Sequence, residues 1–165
     1  MEFGIFEMQQ AEWPQIAAIY EDGLRTGIAT FQSSIPEWEE WNQSHCRTCR
    51  LVARSDERVL GWAALSQVSE RCVYSGVGEV SIYVAENCRG CGIGKKLLIQ
   101  LVDSSEDNGF WSLQAGIIKE NLPSRELHKK CGFREVGIRE RPGMMSDGRW
   151  YDVVIMERRS SRVGI

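Results

Sequence analysis

Val80, Ile82 and Val84 alternate with Ser81 and Tyr83, the two-residue period of a strand. Beyond a loop at 85–92 the period changes. Ile93, Leu97, Leu98, Leu101 and Val102 fall on one face of a helix. Asn108-Gly109 stops that helix, because both residues tolerate the left-handed conformation of a C-terminal cap. A strand, a short turn, a glycine-rich loop and a helix therefore follow one another between Glu79 and Asn108.

The flanking segments fit around this unit. Residues 3–8 pattern as a first strand. Trp13, Ile16, Ala17, Ile19, Tyr20 and Leu24 suit an amphipathic helix starting near Pro14, a good first-turn residue. Gly23 and Gly27 mark an irregular loop through Thr30-Phe31, and a second helix begins at Pro36 and carries Trp38 and Trp41. Leu51–Ala53 and Val59–Leu65, joined by a turn at Asp56-Glu57, form a hairpin. Trp111–Ile118 is a strand, and a helix near Ser124–Lys130 ends at Cys131-Gly132-Phe133. Arg134–Arg139 and Trp150–Glu157 are the last strands, with turns at Pro142-Gly143 and Asp147-Gly148 between them. This mixed order predicts one α/β domain over 1–165, a sheet with helices on both faces.

Composition narrows the class. A chain of 165 residues with ordinary apolar and charged fractions can build a single core. No apolar run approaches a membrane helix, and no signal peptide is evident at Met1–Phe6, so a cytoplasmic protein is expected. A net charge of −3 without a basic, aromatic-interleaved stripe argues against nucleic acid. Arg158, Arg159 and Arg162 are expected to form a solvated tail.

The six cysteines include two C-x-x-C pairs, Cys46/Cys49 and Cys88/Cys91, with His45 beside the first. Two such pairs can make a zinc ribbon. Here their separation is longer than usual and the second pair lies inside the glycine loop. Free thiols of a reducing compartment are expected instead, with no metal.

The loop Arg89-Gly90-Cys91-Gly92-Ile93-Gly94 carries the chemistry. Its glycines let the backbone approach a ligand, and the free N–H groups of the following helix favour an anion. The helix dipole adds about 0.3–1 kcal/mol for a negative group there. Arg89, Lys95 and Lys96 add positive charge, so a phosphate or pyrophosphate is the natural guest. A Walker A loop fails at Arg89 and Lys96, and the dinucleotide G-x-G-x-x-G spacing fails at Lys95 and Leu97.

What remains, Arg-x-x-Gly-x-Gly, resembles the acetyl-CoA pyrophosphate loop of the GNAT superfamily of acetyltransferases. The segment Asn121…Leu127-His128-Lys129-Lys130-Cys131-Gly132-Phe133 is similar to the superfamily's Asn…Leu-Tyr-Glu-Lys-Leu-Gly-Phe stretch, with His128 in the Tyr position. Together with Glu79-x-Ser81-Ile82-Tyr83-Val84, Arg71-x-x-Tyr74 and Asp147-Gly148-Arg149-Trp150-Tyr151-Asp152-Val153, it resembles the phosphinothricin acetyltransferase-like branch. That branch acetylates the α-amino group of phosphinothricin or of amino acids such as methionine sulfone and sulfoximine. The stretch Gln67–Arg71, near the amino-acid pocket, departs from some members.

The resemblance implies a GNAT fold: a mostly antiparallel sheet of about seven strands, flanked by helices and splayed between strands four and five. It implies acetyl-CoA as co-substrate, a small-molecule amine as acceptor, and a homodimer. Acyl transfer to an amine needs a base, and Glu79 is the candidate, against a plain strand-end salt bridge. The backbone at Ile82, Tyr83 and Val84, with Arg89, Gly90, Cys91, Gly92, Ile93 and Gly94, would hold the cofactor. Asn121 fits either a cofactor hydrogen bond or a helix cap. His128 is expected near the sulfur or the amine, as proton donor or relay. Arg71 suits a substrate carboxylate or phosphinate as well as a solvated loop, and Tyr74, Phe31 and Trp150 are candidate pocket walls. Cys91 is not expected to carry an acyl group, and direct attack in a ternary complex is the expected route. A polyamine or protein N-terminus as acceptor, and a non-catalytic CoA-binding module, are the competing readings.

Overall fold

A computed structural model describes residues 1–165. Its strands are Gly4–Glu7 (β1), Leu51–Ser55 (β2), Arg58–Gln67 (β3), Val77–Val84 (β4), Ser112–Ile118 (β5), Arg134–Met144 (β6) and Trp150–Arg159 (β7). Its α-helices are Trp13–Arg25 (α1), Trp38–Ser44 (α2), Ile93–Asp107 (α3) and Leu122–Lys130 (α4). The strands form one sheet in the order β1-β2-β3-β4-β5-β7-β6, and every pair is antiparallel except β4 with β5. The mixed sheet with flanking helices expected from sequence is the one found. No helix is long and apolar enough to cross a membrane.

The parallel pairing is short. It holds at Val77/Ser112, Gly78/Leu113 and Glu79/Gln114 and then stops. Beyond it β4 stays with β3 as far as Val84/Gly61, while β5 stays with β7 as far as Ile118/Val153. Each strand follows its antiparallel partner, so the sheet opens between β4 and β5. The splay between strands four and five is therefore present.

Alternation assigns side chains to the two faces. Tyr83 stacks on Tyr20 of α1 with ring centroids 4.7 Å apart, so Glu79, Ser81 and Tyr83 share the α1 face. Gly23 makes that contact possible, since a Cβ there would stand 2.6 Å from the Tyr83 ring. Trp13, Trp38, Trp41 and Trp62 extend the aromatic cluster on this side. The opposite face takes Val80, Ile82 and Val84 against α3, whose Ile93, Leu97, Leu98 and Leu101 are all buried. α3 ends where the sequence predicts, with Asn108 at the cap and Gly109 at φ +83°.

Two expectations are corrected. Pro142-Gly143 is no turn: both residues lie inside β6, at an irregularity between Arg139 and Gly143 where Arg141 has φ +41°. Proline cannot donate to a ladder, and a bulge is where a strand tolerates it. The turn itself lies at 145–149, around Asp147-Gly148. Arg158 and Arg162 are not a solvated tail either. Both donate to Glu106 of α3 at 2.9 Å, as does the Ser160 hydroxyl, and these bonds hold the Glu106 carboxyl below its usual range. Glu106 is only 6% exposed, so the tail is clasped to α3 through a buried carboxylate.

Candidate active site

A cleft of about 1330 Å³ runs through the splay. Its walls include β4 from Glu79 to Val84, β5 from Gln114 to Ile118, the glycine loop, α4 and the loop carrying Phe31.

The backbone of β4 prepares one wall. Ala85 N–H donates to Leu60 C=O at 2.9 Å, so Tyr83 and Ser81, at the same phase, also face β3. Val80, Ile82 and Val84 then turn their N–H and C=O groups toward the gap, where β5 no longer meets them. The Val84 carbonyl accepts from Arg89 Nε at 3.4 Å. A strand edge of this kind pairs with amide groups of a ligand as it would with a peptide.

At the wide end, Gly90 and Gly92 adopt φ +77° and +82°, conformations open to glycine and costly for other residues. The N–H groups of residues 90–95 have no acceptor within the protein, and helix hydrogen bonding begins with Lys96 N–H to Gly92 C=O. Gly94 serves space instead, as a Cβ there would lie 3.2 Å from Leu127 of α4. The result is a row of free donors backed by Arg89 and Lys95, which fits a pyrophosphate. Cys91 is exposed beside this row, and the Ile93 side chain points into the core at 1% exposure, leaving only its backbone for a ligand.

At the closed end stands Glu79, on the last parallel rung beside Gln114 and opposite Ser66 of β3. It lines the cleft and takes part in no salt bridge. The strand-end ion pair is thus absent and the carboxylate is free.

His128 reaches the cleft from α4 and is 2% exposed. Its Nδ1 lies 2.7 Å from Ser124 C=O. A carbonyl only accepts, so Nδ1 carries the proton and Nε2 keeps a lone pair, which has no partner. Burial pushes its pKa down, with the Ser124 carbonyl pulling the other way, so the ring is neutral at pH 7. Asn121 also lines the cleft, and its side chain accepts from Ser124 N–H at 3.3 Å as the cap of α4.

Tyr83 lines the cleft from within its aromatic stack, and burial raises its phenol pKa. Phe31 lines it too, resting over Gly143, where a Cβ would come within 2.9 Å of the ring. Three expected residues lie outside the lining. Arg71 and Tyr74 are at the short turn between β3 and β4, the guanidinium 5.6 Å from the Tyr74 ring centre, and Trp150 is 58% exposed at the start of β7. Residues that are not candidates for this site from sequence take their place: Ser66, Ser81, Gln114, Gly116, Arg139 and, considered there only beside a cysteine pair, His45. His45 donates from Nδ1 to Trp41 C=O at 2.8 Å and stacks on the Trp41 ring. No three His, Cys, Asp or Glu side chains converge as metal ligands.

An anion loop, an unpaired strand edge and a free carboxylate along one channel define a coenzyme A-dependent acyltransferase acting on an amine. The chain belongs to the acetyltransferase (GNAT) family, whose model matches residues 6–133. It is 33% identical over 151 residues to the phosphinothricin N-acetyltransferase of Alcaligenes faecalis, covering 88% of this chain and 76% of that protein. It is 29% identical over 153 residues to the L-methionine sulfoximine/L-methionine sulfone acetyltransferase of Pseudomonas aeruginosa, covering 89% and 88%. The structure of a phosphinothricin acetyltransferase from Sinorhizobium meliloti in complex with acetyl-CoA superposes with a TM-score of 0.87 at 28% identity, covering 99% of this chain and 91% of that one. The protein is accordingly an acetyl-CoA-dependent N-acetyltransferase of the phosphinothricin and amino-acid acetyltransferase type.

Proposed function

We propose that the chain, as one domain over 1–165, acetylates the α-amino group of a small amino acid or analogue of the methionine sulfone, methionine sulfoximine or phosphinothricin kind. The observation that carries this reading is the free Glu79 carboxylate at the closed end of the splay. It lines the same cleft as Phe31 and the anion loop. The names and extent of the matched relatives support it.

The residues divide the work. The free N–H groups of 90–95, with Arg89 and Lys95, would hold the pyrophosphate. The open edge at Val80, Ile82 and Val84 would take the amides of pantetheine and present an N–H to the thioester carbonyl. Acetyl-CoA itself supplies the activated acyl group. Glu79 removes a proton from the acceptor's ammonium, directly or through one water, because an α-amino group with a pKa of about 8 is largely protonated at neutral pH. His128 receives or relays a proton through Nε2. Being neutral, it acts as a donor only after it has accepted one. Placing both partners in one channel supplies much of the acceleration.

The exposed apolar side chains Val136, Ile138, Met144 and Trp150 on the outer β6–β7 hairpin support association as a homodimer, which sedimentation velocity would test. The acceptor is tested by thiol release from acetyl-CoA with methionine sulfone, methionine sulfoximine, phosphinothricin, spermidine and an alanine-terminated peptide. The expected order of kcat/KM puts the amino-acid analogues first. A preference for spermidine or the peptide would overturn the reading.

A further inference from the structure

We propose that Arg139 binds the carboxylate of the acceptor, which makes it the residue that selects amino acids over neutral amines. The inference rests on the amino-acid reading above and names the group that enforces it.

The sheet register brings Arg139 to the acceptor side. Glu79 pairs with Gln114, so Gln114, Gly116 and Ile118 of β5 share its face. Gly116 pairs with Ile155 and Ile118 with Val153 on β7, and Val153 pairs with Arg139 on β6. Arg139, Val153, Ile155, Gly116, Ser81 and Glu79 therefore line one face, the face that also packs α1. The register irregularity between Glu135 and Gly137 makes this so. Glu135, before it, faces α4 and bonds Arg125, whereas Arg139, after it, faces the cleft.

Among the cations lining the cleft, Arg89 and Lys95 belong to the anion loop and α3, and Lys130 to α4. Arg139 alone rises from the sheet face that carries Glu79. It enters no salt bridge and no side-chain hydrogen bond, unlike Arg134 at the start of the same strand and Arg158 and Arg159 on β7. Arg139 is exposed at the rim of the cleft, whose lining also includes Val153, Ile155, Pro142 and Phe31.

The span is right for an α-amino acid. Arg139 stands two strand spacings and two residues from Gly116, roughly 10 Å across and roughly 7 Å along the sheet. An arginine side chain extended over Val153 and Ile155 would cross most of that distance. An acceptor whose amine lies above Ser81 and Gly116, within water-bridged reach of Glu79, then turns its carboxylate to the guanidinium fork, a bidentate match. Arg71, held over Tyr74 outside the cleft, is not placed for this.

The test compares methionine sulfone with its carboxamide on wild type, Arg139→Gln and Arg139→Lys. Turnover is read by thiol release, and binding to the CoA-loaded protein by calorimetry. Wild type is expected to favour the acid by about tenfold or more in KM and in binding. Arg139→Gln should erase that preference while leaving KM for acetyl-CoA unchanged, and Arg139→Lys should restore part of it. An acid-to-amide ratio in Arg139→Gln equal to that of wild type overturns the assignment. If wild type binds the acid yet turns over no amino acid, the function proposed above fails. The calorimetric ratio still decides the role of Arg139.

Discussion

Glu79 and Gln114 form the last rung of the parallel ladder between β4 and β5, and the cleft begins where that rung ends. The carboxylate proposed as the base is therefore built into the hinge of the splay. The strands that separate to admit the cofactor are the strands that fix the carboxylate. A loop residue could not hold that position with the same rigidity.

The wide end depends on backbone conformation. At φ +82°, Gly92 caps α3 in a geometry that costs a residue with a Cβ about 1–2 kcal/mol. Gly92→Ala is expected to raise KM for acetyl-CoA several-fold and leave KM for the acceptor nearly unchanged. Initial-rate kinetics with each substrate varied in turn check this.

Gly116 offers a probe of the acceptor side. A Cβ there meets Val153 at 3.4 Å, an ordinary contact, so the fold accepts a side chain while the channel loses room. Gly116→Val should keep the melting temperature near that of wild type. It should lower acceptor kcat/KM by at least about tenfold, the scale expected for a displaced reactant.

Acid should weaken the fold through its histidines. Burial lowers the pKa of both His128 and His45 in the folded state. The unfolded chain, with histidine near 6.5, thus binds protons first as pH falls. The histidine contribution is complete above about pH 6.5, declines on acidification toward the lower folded values, and levels off below them. Urea midpoints at pH 7.5 and 5.5 should show the loss, and His128→Gln should reduce it.

Much of this was legible in the sequence, and the exceptions have causes. The change of period at 85–92 located β4, the anion loop and α3 without reference to any other part of the chain. Glu79 and His128 stood out as candidates because the motifs around them resemble those of the family; the residues alone left each open to a structural role. Arg139 was not, because its side depends on an irregularity after Glu135 and on two strand pairings far apart in sequence. His45 reads as a neighbour of Cys46 until the backbone bond from Cys46 N–H to Leu65 C=O brings it beside β3 and the cleft. Arg158 and Arg162 look like a solvated tail because their partner, Glu106, lies on α3 about fifty residues earlier.

That clasp is itself testable. Glu106→Gln leaves two arginines facing a neutral amide and should cost about 1–3 kcal/mol. For a chain of this size each kcal/mol lowers the melting temperature by about 2–4 °C. Calorimetry should find that loss with kcat unchanged at low temperature, since Glu106 does not line the cleft.

The most direct test of the account is the turnover of Glu79→Gln. With saturating acetyl-CoA and methionine sulfone, the variant should lose about a hundredfold or more in kcat while keeping KM for acetyl-CoA, the size expected for removing a general base. Raising the pH should recover part of the rate, because more of the amine is then neutral without help. A Glu79→Gln variant with wild-type kcat and an unaltered pH profile would contradict the account.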